Sequence, residues 1–157
     1  MNLIKLIFFF IITANASEAF ESVHSPHNKF RCDFVAKQES GIIVTLTDTT
    51  TGKTLQVMDC DRWAEIHWSP NDKKFAIENH WDGQASYLQI FEIVSSENRI
   101  GLVEIYHSPW LAQLLGVEWK LKSWSIKKGR ATIIRKAVTK LTGAKYKDQE
   151  EFQVLLD

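Results

Sequence analysis

From residue 30 onward, apolar and polar positions alternate in short runs, and turn-forming residues interrupt them at intervals of roughly 8 to 12, the pattern of an all-β domain. "GIIVTLTD" (41–48) is rich in β-branched residues, and "TLQVMDC" (54–60) resumes after "TTTGK" (49–53), where Gly52 is free to take a positive φ. In "WAEIHW" (63–68), Ala64, Ile66 and Trp68 share one strand face, while Trp63, Glu65 and His67 share the other. "SPND" (69–72) turns the chain: Pro70 presets φ, and Asn71 or Asp72 tolerates the left-handed region. In "KKFAIENHW" (73–81), Phe75, Ile77 and Asn79 share a face. "SYLQIFEIV" (86–94), "IGLVEIYH" (100–107), "WKLKSWSI" (119–126) and "RATIIRKAV" (130–138) read as further strands. One short helix is expected near 109–115: Ser108 caps it, Pro109 suits its first position, Gly116 suits the residue beyond its end, and Leu111, Leu114 and Leu115 form one stripe.

Two internal echoes organise these strands. "WAEIHWS" (63–69) and "WKLKSWS" (119–125) match at both tryptophans and the serine, and each leads through a polar turn into an apolar strand. "VTLTDTTTGKTLQV" (44–57) and "LQIFEIVSSENRIGLV" (88–103) both run strand, acidic residue, polar turn, basic residue, strand. The repeated tryptophans Trp63, Trp68, Trp119 and Trp124 are expected in the core. Trp81, at a turn, and Trp110, at the helix start, are expected at the surface.

"HWSPNDKKFAI" (67–77) resembles the hairpin of the TolB-like and tryptophan–aspartate-repeat β-propeller blade, which reads W-S-P-D-G-K before alternating apolar residues. "TLTDTTTGKTL" (45–55) resembles the D-x-x-T-G-K turn of the same kind of propeller. The chain departs from that pattern where Asp72 replaces glycine, and in the second copy where Ile126, Lys127 and Lys128 replace proline, acid and glycine. The resemblance implies blade-like antiparallel sheets. At about 40 to 50 residues per blade the chain has material for about three, short of the four or more of a closed ring. The expected fold is therefore an all-β stack of such sheets, packed as a small sandwich or incomplete propeller; chains combining to close a ring is the alternative.

The N-terminus changes the picture of where this fold works. Lys5, an apolar run from Leu6 to Thr13 and "ANA" make a secretory signal cut after Ala16, or after Ala19. The run is too short to span a bilayer, which takes about 20 apolar residues. Residues 17–29 read as a loose lead-in and 30–157 as one domain. The mature protein is expected to be exported, periplasmic or secreted, and bacterial. With six tryptophans, and a whole chain that is 45% apolar, the domain has material for a core. Its only cysteines, Cys32 and Cys60, are expected to pair in an oxidising compartment, with two buried thiols as the alternative.

The net charge is zero, yet residues 120–147 carry ten basic side chains and no acid, against fifteen acids and eight bases in 17–119. Lys120, Lys122, Lys127, Lys128 and Arg130 are candidates for binding an anionic envelope component or an acidic protein, with Trp81 and Trp110 as aromatic contacts. Nucleic acid is not an expected partner outside the cytoplasm. No nucleophile elbow, P-loop, dinucleotide fingerprint or H-E-x-x-H appears, so no cofactor or catalytic residue is assigned. The best polar cluster is "ENHWDG", where Glu78 and His80 share a face near His67; His67, His80 and Asp82 are candidates for a metal or for acid–base chemistry. "HSPH" (24–27) holds two more histidines in the lead-in. Three classes follow: a binding protein, a small metal-dependent or acid–base enzyme, and a subunit whose sheet edges join other chains, with a homo-oligomer possible.

Overall fold

The computed structural model describes residues 19–37, 40–81, 85–96, 99–109, 117–125, 128–137 and 149–156, and its elements are eleven strands. They pair antiparallel in chain order. The first sheet is β1 (Ala19–His24), β2 (Phe30–Ala36), β3 (Ile42–Asp48) and β4 (Thr54–Cys60). The second is β5 (Trp63–Trp68), β6 (Lys74–His80), β7 (Ser86–Ser96) and β8 (Arg99–His107). The third is β9 (Val117–Ser125), β10 (Arg130–Ala137) and β11 (Gln149–Leu155). The fold is all-β, as expected. The signal segment and the expected helix at 109–115, save Pro109, lie outside the described residues. Among the described residues no helix is long and apolar enough to cross a membrane.

Period-two alternation lets the second sheet pack on both sides. On β6, Phe75 and Ile77 point toward the first sheet and join Phe30, Cys32, Phe34, Val44 and Leu46 in one core. Ala76 points the other way and joins Leu88, Ile90, Trp119, Ala131 and Ile133 in a second core against the third sheet. Aromatic rings line the first seam: Trp68 lies 5.1 Å from Phe75 and 6.4 Å from Phe30, ring centre to ring centre. Trp119 is buried and Trp68 and Trp124 are half-buried, but Trp63 is 43% exposed and does not belong to the core. Its face of β5 carries Glu65 and His67, so the seam there is polar.

The lead-in is not loose. Residues 19–24 form β1, and "SPHNK" (25–29) builds the same turn as "SPNDK" (69–73). In each, the serine N–H donates to the carbonyl five residues on (Ser25 to Phe30, 2.9 Å; Ser69 to Lys74, 2.8 Å). The serine hydroxyl accepts the N–H of that same residue, at 3.0 Å from Phe30 and 2.9 Å from Lys74. The fourth residue takes a positive φ, 56° at Asn28 and 58° at Asp72, a conformation short polar side chains tolerate. The two turns touch: Asp72 accepts the His27 amide at 3.2 Å and contacts His27 Nδ1 at 2.9 Å. The signal for this extra copy stood in the sequence as a second Ser-Pro-x-Asn/Asp, hidden by the missing tryptophan before it.

The expected disulfide is absent; Cys32 and Cys60 are free and buried. Register explains why. Cys32 pairs with Leu46 and Cys60 with Ile42, on opposite sides of β3. Two strand spacings separate them by about 10 Å across the sheet, and four residues along β3 add about 13 Å. A disulfide needs Cα atoms about 4.4–6.8 Å apart. Burial pushes the Cys60 thiol up to about 12 and the Cys32 thiol further in the same direction.

Candidate functional site

The polar side of β5 and β6 forms one cluster in the seam between the second and third sheets. A hairpin that pairs Trp68 with Phe75 sets the register, so Glu65 falls opposite Glu78 and Trp63 opposite His80. Glu78 and His80 share a face on β6, as alternation predicts, and His67 on β5 reaches the same patch. His67 Nε2 lies 3.0 Å from Glu78 Oε1 and 3.7 Å from Glu65 Oε2, and His80 Nε2 lies 3.9 Å from Glu65 Oε1. One ligand atom from each of Glu65, Glu78 and His80 falls within 4.8 Å of the others. Asp82, the third residue of the expected set, lies outside the described residues.

Burial makes this cluster costly. Glu78 is 1% and His80 5% exposed, and neither Glu78 Oε2 nor His80 Nε2 has a hydrogen-bond partner. Glu78 Oε1 is engaged: the Leu121 amide donates to it at 2.7 Å. β9 is the edge strand of its sheet, so that amide has no strand to pair with, and the carboxylate takes the place of a neighbour. Ser86 serves the same edge, its hydroxyl accepting from Trp119 N–H at 2.9 Å and donating to Trp119 C=O at 3.0 Å. The Trp63 ring stacks on the His80 imidazole with centroids 3.5 Å apart and planes 4° from parallel.

The two imidazoles shift in opposite directions. The hydrogen-bonding contact with Glu78 raises the pKa of His67. Burial lowers that of His80, although Glu65 and Glu78 pull the other way. Lys120, the first residue of the basic stretch, faces this cluster as well: its ammonium pairs with Glu118 at 2.9 Å, which raises its pKa, and it feels Glu78 and Glu65.

Three other cations of the stretch, Lys122, Lys128 and Arg130, are exposed. Lys122 pairs with Glu151 at 2.5 Å, both side chains about half exposed, and Arg130 donates to Gln153 at 2.9 Å. Lys128 is exposed, and Lys127 lies outside the described residues. Trp81 is 43% exposed and Trp110 is not described. Lys120, its side chain 44% exposed, is thus drawn toward the Glu65–His80 cluster, while Lys122, Lys128 and Arg130 are exposed without contact to it. A separate cleft of about 330 Å³ opens at the two Ser-Pro turns, lined by Lys29, Asp72, Lys73, Glu92 and Ser95 among others. It holds no histidine and lies apart from the Glu65–His80 cluster.

Sequence reading missed Glu65. The signal that finds it is the hairpin itself: with Ser69 paired to Lys74 by the turn, counting back places Glu65 opposite Glu78.

No family model matches this chain, and no curated protein matches it. One solved structure, from a structural and mechanistic study of two prolyl endopeptidases, is similar at 12% identity and a TM-score of 0.34. That similarity covers 85% of this chain and 26% of the other.

Proposed function

We propose that this protein is an exported, non-catalytic binding protein of the cell envelope, whose third sheet receives an anionic partner. Its sheets are read as blades of the TolB-like or tryptophan–aspartate-repeat kind. Successive antiparallel meanders stacked in chain order, with equivalent Ser-Pro turns side by side, support that reading. The observation that carries the function is the exposed cationic face of the third sheet. Lys122 and Arg130 stand on neighbouring strands and Lys128 at their connecting turn, within a stretch of ten cations and no acid. The Lys122–Glu151 pair does not cancel this face. An ion pair so exposed contributes about 0–1 kcal/mol and is screened by salt, so a polyanion displaces Glu151 cheaply.

Co-sedimentation of the mature protein with phosphatidylglycerol vesicles, and its retention on immobilised polyglutamate, test this. Binding to at least one is expected, weakening as salt rises past the point where the Debye length falls below about 10 Å. The triple variant K122E/K128E/R130E is expected to lose it. Failure of the wild-type protein to bind either polyanion, or undiminished binding by the triple variant, rejects the role.

A further inference from the structure

We propose that Glu65, Glu78 and His80 form a binding site for a divalent transition cation, zinc being the best fit, in the seam between the second and third sheets. The site is separate from the cationic face and does not depend on it.

The first argument is placement. Two carboxylates directly opposite on one sheet face repel each other, and strand pairs ordinarily avoid the arrangement. Here the β5–β6 register sets Glu65 against Glu78, with His80 two residues along the same face. The three donor atoms lie within 4.8 Å of one another, and His80 Nε2 is 3.9 Å from Glu65 Oε1. A tetrahedral zinc ion with bonds of about 2.0–2.2 Å holds its donors about 3.3–3.6 Å apart. Closing the remaining gap falls to Glu65, the most exposed of the three, by rotation about its own side chain.

The second argument is the bare atoms. Three atoms of this one cluster lack a hydrogen-bond partner: His67 Nε2 on a side chain 33% exposed, and Glu78 Oε2 and His80 Nε2 on side chains that are buried. Leaving such groups unsatisfied is costly, and a fold keeps that cost where something else repays it. A cation accepts electron pairs from Glu78 Oε2 and His80 Nε2 and neutralises the facing carboxylates.

The surroundings are those of a held ligand set. The Leu121 amide fixes Glu78 through Oε1, so Oε2 is the oxygen left to coordinate. The stacked indole of Trp63 fixes the plane of the His80 ring. His67, with Nε2 3.0 Å from Glu78 Oε1, lies beside the carboxylate and outside the ligand set. One imidazole and two carboxylates suit zinc and its first-row neighbours. Magnesium and calcium ask for six or more oxygen donors, which three protein atoms, one of them nitrogen, supply poorly. The opposing charge is Lys120, whose ammonium is held on Glu118 and acts on both Glu65 and Glu78. It is a competitor for the cation.

Titration of the chelator-stripped mature protein with zinc chloride, by calorimetry and by competition with a chromophoric chelator, tests the site. One equivalent of zinc is expected to bind. Glu78→Gln keeps an oxygen for the Leu121 amide; it and His80→Gln should each weaken binding by more than the roughly tenfold cost of losing an outer partner. Lys120→Met should tighten binding, because it removes the competing cation. Cobalt in place of zinc should give a visible spectrum of nitrogen and oxygen ligation without a thiolate charge-transfer band. Circular dichroism checks that each variant folds; should Glu78→Gln fail to fold, the half-exposed Glu65→Gln decides in its place and is expected to weaken binding too. The proposal is overturned if no zinc binds, if binding survives His80→Gln and Glu65→Gln, or if a thiolate band appears. It is overturned equally if Lys120→Met lowers affinity, since Lys120 would then belong to a balanced ionic network instead of opposing a metal.

Discussion

Two serine hydroxyls do at the residue scale what a blade-type hairpin requires. Ser69 Oγ accepts the Lys74 amide at 2.9 Å and donates within reach of the Lys74 carbonyl at 2.7 Å and Asn71 Oδ1 at 2.8 Å. The residue is 2% exposed, so water cannot replace it. Ser69→Ala is expected to cost about 1–3 kcal/mol in urea unfolding, whereas Thr50→Ala on the exposed 49–53 turn should stay within about 0.5 kcal/mol. The histidines give a second prediction. In metal-free protein His67 holds its proton more tightly folded than unfolded, so its contribution is complete below the unfolded value of 6.5 and drains away as pH rises through the folded value. His80 is the reverse: its folded value lies below 6.5, and stability falls as pH drops from 6.5 toward it. His67→Gln should flatten the alkaline limb of a stability–pH profile, and His80→Gln the acid limb. Interchanged effects would mean the two rings have exchanged environments.

Register decides the element-scale behaviour. β9 is an edge strand whose free groups are met by side chains of the second sheet, Ser86 at Trp119 and Glu78 at Leu121. Ser86→Ala leaves both the N–H and the C=O of Trp119 without that partner, so amide exchange should rise along β9 while β2 and β3 stay protected. Uniform exchange across the sheets would show that the edge is held by packing alone. Register also keeps Cys32 and Cys60 apart on either side of β3. Both thiols should resist a thiol reagent in the native protein and react fully once it is unfolded, and a reducing agent should leave the melting temperature unchanged. A reductant-dependent shift would contradict this register.

At the scale of the molecule, and among the described residues, the second sheet packs apolar side chains on both sides, against the first sheet on one and the third on the other. The far side of the first sheet carries a set of polar contacts around Asp33. Asp33 accepts from Ser22 at 2.6 Å, lies 2.7 Å from Arg31 Nε, and receives Thr47 Oγ1 at 3.4 Å. Light scattering of the mature protein should give a monomer mass at low and at high salt. A defined dimer would mean that two chains complete one another, and the anionic partner would then be sought between them.

Because period two and turn chemistry are local properties, the chain by itself determined β3 to β10, though not β1, read as a loose lead-in, nor β11. Gly52 at the 49–53 turn takes φ 70°, Asp72 accepts the left-handed region, and β3 to β8 fall where alternation puts them. It determined too that Glu78 and His80 share a face, which needs only counting by twos. Distance across strands is a different matter. Cys32 and Cys60 look pairable in one dimension, and only the order of β2, β3 and β4 separates them. Glu65 meets Glu78 only once the Ser69 turn fixes the hairpin, and Leu121 meets Glu78 only once the third sheet stacks on the second. Trp63 and Trp119 occupy matching positions in the repeat, yet one covers His80 with a face to solvent and the other is buried. Composition could not separate them, since burial depends on which sheet lies across the seam.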